Sequence, residues 1–214
     1  MTCWICQSAT IPRCHPISGV LFHACAKCGF IFKDQSHFPS REAEERRYQE
    51  HNNEIDDVKY RNYFKAFIDR CVAPYSKGNK VLDYGSGPTP VLKDVLERDY
   101  HYQVDIYDPF FAQSKVNVKP TYDVITCTEV IEHVQDVHKL FRLFTSLTDD
   151  CSILALMTQF HPDSLEAFYE WFYHRDLTHI GFYSLQTFQY LTNIYPFEII
   201  DTDDKKMIVL RRRK

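Results

Sequence analysis

A chain of 214 residues with 44% apolar and 15% aromatic side chains can bury a full core, and its net charge is only −4. That balance excludes a disordered or collagen-like chain, and no apolar run approaches the ~18 residues that would span a bilayer. No charged-then-apolar leader opens the sequence, so a cytoplasmic protein without membrane contact is expected. The unusual number is eight cysteines. In a reducing compartment they point to metal or catalysis before disulfides.

Cys3-x-x-Cys6 and Cys25-x-x-Cys28 are two tight pairs with 18 residues between them, the spacing of a structural zinc site in which each turn offers two thiolates to one tetrahedral ion. Residues 1–40 are therefore expected to form a zinc-ribbon-like module with Cys3, Cys6, Cys25 and Cys28 as ligands. Cys14 is spare, and His15 and His23 are alternative fourth ligands. A cluster of reduced thiols or a redox pair is the competing reading. Four thiolates leave no open coordination position, so such a site supplies folding energy rather than chemistry. Cys71, Cys127 and Cys151 sit among apolar residues and read as small core side chains.

Residues 41–60 turn polar and charged, and read as a helical connector. Residues 61–214 then alternate. Tyr63, Phe64, Phe67, Ile68 and Cys71 have helical spacing. Residues 80–84 read as a buried strand, 90–100 as a helix, 101–107 and 122–127 as strands, and 137–147 as a helix. A strand at 152–158, an aromatic helix at 164–173, a helix at 184–194 and strands at 197–201 and 206–210 complete the chain. Strands alternating with helices mean a mostly parallel α/β sheet with helices on both faces, and the tight final hairpin makes the last strand antiparallel.

The first strand of that series ends in Asp83-Tyr84-Gly85-Ser86-Gly87. A strand, a glycine turn and a helix let backbone approach a ligand closely and aim helix N–H groups at it. Asp83 can hold the turn or meet a ligand amine. Asp108 ends the next strand about twenty residues on, the distance at which an acid reaches ribose hydroxyls. Glu129, Glu132 and His133 follow the strand at 122–127. If a helical turn begins there, the three side chains share one face beside the ligand. They then make a divalent-metal site, a general base with its orienting partner, or only a support for the following helix.

Together these segments resemble the class I S-adenosylmethionine-dependent methyltransferases: Val81 to Gly87, Tyr107-Asp108, and Tyr122 to Val134 occur in that family's order. The resemblance implies a Rossmann-like fold, S-adenosylmethionine as cofactor, and cofactor-binding roles for Asp83, Tyr84, Gly85, Gly87, Asp108 and Thr128. Thr89 stands where many members have a third glycine. The stretch 109–121 is too short for a helix plus the family's third strand, which is expected to be missing or rudimentary. A nicotinamide dehydrogenase is disfavoured, since Glu129 to Val134 has no role in hydride transfer.

The Glu-Val-Ile-Glu-His segment, with Asp176 and His179 some 45 residues on, also looks like the ubiquinone-pathway O-methyltransferases and the small-RNA 2′-O-methyltransferases. That likeness implies a second divalent ion on Glu129, Glu132, His133 and His179, and catalytic roles for Glu132, His133, Asp176 and His179. Trp171 and Tyr173, in an aromatic run otherwise expected in the core, could stack on a planar substrate. The last ten residues carry six basic side chains and no acid, which with a zinc ribbon suggests RNA. The acidic body opposes a broad phosphate footprint. The favoured function is methyl transfer to a small or medium acceptor, at oxygen. An RNA methyltransferase and a non-catalytic zinc-ribbon interaction protein on a methyltransferase-like scaffold are the alternatives.

Overall fold

The structure, a computed structural model, describes residues 1–49, 55–113 and 121–214. Of the expected connector, residues 50–54 lie outside this set, as do residues 114–120 of the short link at 109–121.

Strands β1 (Ile11–Cys14), β2 (Leu21–Ala24) and β3 (Ile31–Lys33) form an antiparallel meander, followed by helices α1 (Arg41–Gln49) and α2 (Val58–Cys71). The Asp57 carboxylate caps α2 by accepting from the N–H groups of Lys59 and Tyr60. The expected α/β alternation then follows: β4 (Lys80–Tyr84), α3 (Val91–Tyr100), β5 (Gln103–Tyr107), β6 (Tyr122–Thr128), α4 (Val137–Ser146) and β7 (Thr148–Met157). Next come α5 (Leu165–Glu170), the two-residue β8 (Gly181–Phe182), α6 (Leu185–Ile194), β9 (Phe197–Thr202) and β10 (Met207–Arg212).

The large sheet has the order β5-β4-β6-β7-β10-β9; β5, β4, β6 and β7 are parallel, and β10 is antiparallel to both neighbours. Among the described residues β5 is the edge, so no third family strand lies beyond it. The chain leaves β4 to one side for β5 and returns to the other side for β6. Ligands bind above such a switch point, at the carboxyl ends of the strands.

The two-residue period of the strands divides the core. Val81, Val124, Ile153 and Val209 face α2 and α3, while Leu82, Ile125, Leu154 and Leu210 face α4 and α6. That second core also takes in Cys3, Ile5, Cys25, Cys28, Phe30 and Phe32. The cysteine-rich segment therefore shares a core with the sheet, and β8 pairs with β3 as the fourth strand of its meander. No helix among the described residues is long and apolar enough to cross a membrane.

Three local expectations need correction. The strand expected at 152–158 starts at Thr148, because Tyr122 pairs with Thr148 before the register shifts. Cys151 is half-buried with φ +73°, an irregular strand position rather than a core one. The aromatic helix stops at Glu170: Trp171 turns extended, and a 3-10 turn at Tyr173–Arg175 re-aims the following side chains.

Candidate functional site

The cysteine pairs form two copies of one turn. The N–H of Gln7 donates to Cys3 O and that of Gly29 to Cys25 O, and both residues have positive φ, +57° and +71°. Cys3 and Cys28 sulfurs are 3.5 Å apart and those of Cys6 and Cys25 3.3 Å, with all four within 4.8 Å of one another. A disulfide needs ~2.05 Å, whereas a tetrahedron of sulfurs ~2.3 Å from zinc has an edge of ~3.8 Å. The four sulfurs could therefore hold one tetrahedral ion. A hydrogen bond between the Cys3 and Cys28 sulfurs lowers the pKa of the Cys3 thiol, which readies a thiolate. The alternative ligands point elsewhere. Cys14 is exposed, His15 donates to Tyr169 O at 3.0 Å, and His23 pairs with Asp34 at 2.8 Å.

At the switch point the glycine turn opens a cavity of about 840 Å³. Gly85 (φ +83°) packs so closely on Val130 that a Cβ would lie 2.2 Å from its Cγ2, whereas a Cβ on Gly87 (φ +66°) would meet nothing within 4 Å. The first glycine thus joins the β4 and β6 loops, and the second leaves open space for a ligand. Ser86 Oγ in the same turn is buried without a hydrogen-bond partner among the described residues. Asp108 accepts from the N–H groups of Gly87 (3.0 Å), Phe110 (2.8 Å) and Phe111 (3.1 Å), which fixes its carboxylate at the cavity wall. Asp83 is buried below the turn, accepts from Thr126 Oγ1 at 3.0 Å, and is pushed up to a pKa of about 7 by burial. Tyr84 stacks on Tyr107, and Thr128 lines the cavity. All six expected cofactor residues meet around one cavity.

The second cluster adjoins the first. Glu129 takes a left-handed backbone (φ +53°), and Ile131–His133 form a 3-10 turn rather than the expected helical turn. Glu132, His133 and His179 bring ligand atoms within 4.8 Å of one another, and Glu129 stands outside that set. The Nδ1 atoms of His133 and His179 lie 2.9 and 2.7 Å from the carbonyls of Thr178 and Tyr173. A carbonyl only accepts, so each Nδ1 carries the proton and each Nε2 presents a lone pair. Burial lowers both pKa values, that of His179 to about 3, which suits a ligand better than a base at neutral pH.

Glu132 is fully buried, and its Oε2 has no hydrogen-bond partner among the described residues. The Tyr173 hydroxyl lies 2.5 Å from Glu132 Oε1 and 2.7 Å from Glu129 Oε2. One hydroxyl proton cannot serve two carboxylates, so a further proton or a cation belongs between them. Burial accordingly raises both carboxyl pKa values to about 7.

Asp176 stands outside the metal-competent set but lines the cavity. Its oxygens accept from Arg47 of α1 at 2.8 Å and from Thr178 Oγ1 at 2.7 Å, and these bonds hold it well below the usual carboxylate range despite its burial. It ties a loop to α1. Two contributors to the site, Tyr63 and Lys33, had no signature in the sequence, and Tyr173 reads there as a stacking residue rather than a partner of the glutamates. Tyr63 was hidden in a core helix face and Lys33 in a ribbon strand; only the fold brings the three to the glutamates and their loop.

The family pattern described as a methyltransferase domain matches residues 55–202. No curated protein matches the chain. Among solved structures the fold is similar to a SAM-dependent methyltransferase from Archaeoglobus fulgidus, at 17% identity over 71% of this chain and 94% of that one, with a TM-score of 0.51. It is also similar to an O-methyltransferase family 2 protein from Planctomyces limnophilus in complex with apigenin (17% identity, 70% of this chain and 57% of that one, TM-score 0.53). Mitomycin 7-O-methyltransferase is a third (12% identity, 76% and 61%, TM-score 0.54). The chain spans about three-fifths of the length of the last two. At these identities the likeness is one of fold.

Proposed function

Because this chain belongs to the methyltransferase-domain family, we propose that it moves a methyl group from S-adenosylmethionine to a hydroxyl of a small or medium acceptor. A divalent ion held by Glu132, His133 and His179 would sit beside the cofactor cavity, and a structural zinc on Cys3, Cys6, Cys25 and Cys28. The cofactor fits what the turn offers: the space over Gly87, the Ser86 hydroxyl without a partner among the described residues, and the fixed Asp108 carboxylate, which would meet ribose hydroxyls.

S-adenosylmethionine supplies an activated methyl group on a sulfonium, so the chain's main contribution is alignment of donor and acceptor in a water-poor cavity. A hydroxyl acceptor must lose its proton, and a divalent ion lowers that proton's pKa. Glu129 lines the cavity, where its carboxylate could take the proton. Tyr63 and Tyr173 orient its carboxylate.

The observation that carries the metal reading is the orphaned, fully buried Glu132 Oε2 beside two histidines whose tautomers leave Nε2 bare. Titration of Mn²⁺ into the zinc-loaded chain, followed by electron paramagnetic resonance, tests it. One ion should bind, and Glu132→Gln or His179→Ala should weaken it at least about tenfold with S-adenosylmethionine affinity unchanged. Methyl transfer that survives removal of every exchangeable divalent ion, with zinc retained, would defeat the metal reading.

A further inference from the structure

The turn that delivers His179 is fastened to the cysteine-rich module. Three successive carbonyls, those of Asp176, Leu177 and Thr178, are each taken by a side chain. Lys33 Nζ donates to Asp176 O at 3.1 Å and to Leu177 O at 3.3 Å, and His133 Nδ1 donates to Thr178 O at 2.9 Å. Lys33 is the last residue of β3. Its backbone N–H donates to Ile180 O at 2.9 Å, and the Ile180 N–H donates to Glu132 O at 2.8 Å. One ribbon residue therefore grips the turn on both sides of His179 and, through Ile180, reaches the glutamate.

Lys33 is only 3% exposed. A buried ammonium carries a desolvation cost that an apolar side chain of similar length would avoid. Desolvation accordingly lowers its pKa to about 8, with the Asp176 charge opposing. Attachment of the module does not depend on it. His138 Nε2 meets Ile5 O at 2.9 Å, His161 Nε2 meets Gly29 O at 2.6 Å, and Gln186 donates to Lys27 O at 3.1 Å. What the amine adds is the pair of carbonyl bonds in the 176–177 turn.

We propose that Lys33 is a positioning residue for the divalent site: it locks the 176–179 turn so that His179 faces Glu132 and His133, and thereby makes the cysteine-rich module a wall of the reacting centre. The proposal rests on the divalent site described above. The full-length, zinc-loaded chain and its Lys33→Met and Lys33→Gln variants are compared by Co²⁺ affinity, read from the visible d–d absorption, and by amide hydrogen exchange at 176–180. Zinc content and S-adenosylmethionine affinity serve as controls for folding.

Lys33→Met should keep its zinc and its cofactor affinity, lose at least about tenfold in Co²⁺ affinity, and exchange faster at 176–180. Lys33→Gln, whose amide still donates, should fall between the two, and it carries the test if the methionine variant does not fold. Wild-type Co²⁺ affinity and exchange in either folded variant would overturn the proposal. If the wild-type chain itself binds no Co²⁺, the divalent reading falls, and unchanged exchange at 176–180 would then overturn the role of Lys33 as well.

Discussion

Asp83 shows how a residue legible in the sequence acquires a property that is not. Its place before the glycine turn could be read directly, but burial to 2% exposure comes from the fold. The resulting pKa of about 7, against 3.8 unperturbed, means the folded chain binds more protons than the unfolded one between about pH 4 and 7. Stability contributed by this group is therefore lost as pH rises through that window. Asparagine keeps an acceptor for Thr126 and removes the charge. Asp83→Asn should be near neutral at pH 5 and more stable than the wild type by about 2–3 kcal/mol at pH 8, measured by urea unfolding without cofactor. A difference that does not change with pH would refute the buried-charge account. Glu129, Glu132 and His133 were readable from spacing and His179 only through the family resemblance, but the arrangement of the four was not. A left-handed Glu129 and a 3-10 turn replace the expected helical face, so Glu132 meets the histidines while Glu129 turns toward the tyrosines. Asp176, expected to be catalytic, lines the cavity and accepts from Arg47 and Thr178.

Among the elements, the strands of the large sheet were legible because each carries a short apolar run bounded by turn residues, as at 80–84 and 122–128. The β3–β8 pairing was not, because two residues, Gly181 and Phe182, have no periodicity to read. The early end of the aromatic helix was hidden for a related reason: apolar spacing continues past Glu170, but the bonds from Tyr173 to the two glutamates require the chain to leave the helix. The glycine turn gives this level its test. An alanine Cβ at Gly85 would collide with Val130 and would hold a residue other than glycine at φ +83°. Gly85→Ala should cost about 1–3 kcal/mol, and adding Val130→Ala should recover the steric part. A Gly85→Ala chain as stable as the wild type would show that the β4 and β6 loops are not packed as described.

The whole molecule is a Rossmann-like sheet with a cysteine-rich meander built into one face, not beads on a string. Boundaries near residues 40 and 60 follow shifts in composition, but the core of α4 and α6 runs on through Phe30, Phe32 and the buried cysteines. The two cysteine turns spend Ile5 O, Lys27 O and Gly29 O on side chains of the catalytic body. These contacts, and Arg213 bonded to the carbonyls of Thr192 and Tyr195, tie the N-terminal module and part of the basic tail to the Rossmann-like sheet and its helices. They favour the reading in which the module shapes the methyl-transfer site. That reading stands on cofactor binding at the glycine turn, and calorimetric titration of S-adenosylmethionine into the zinc-loaded wild-type and Asp108→Ala chains tests it most directly. The account predicts one site per chain in the wild type, weakened about 10- to 100-fold by loss of the carboxylate. No binding to the wild-type chain, or equal affinity in the two, would contradict it.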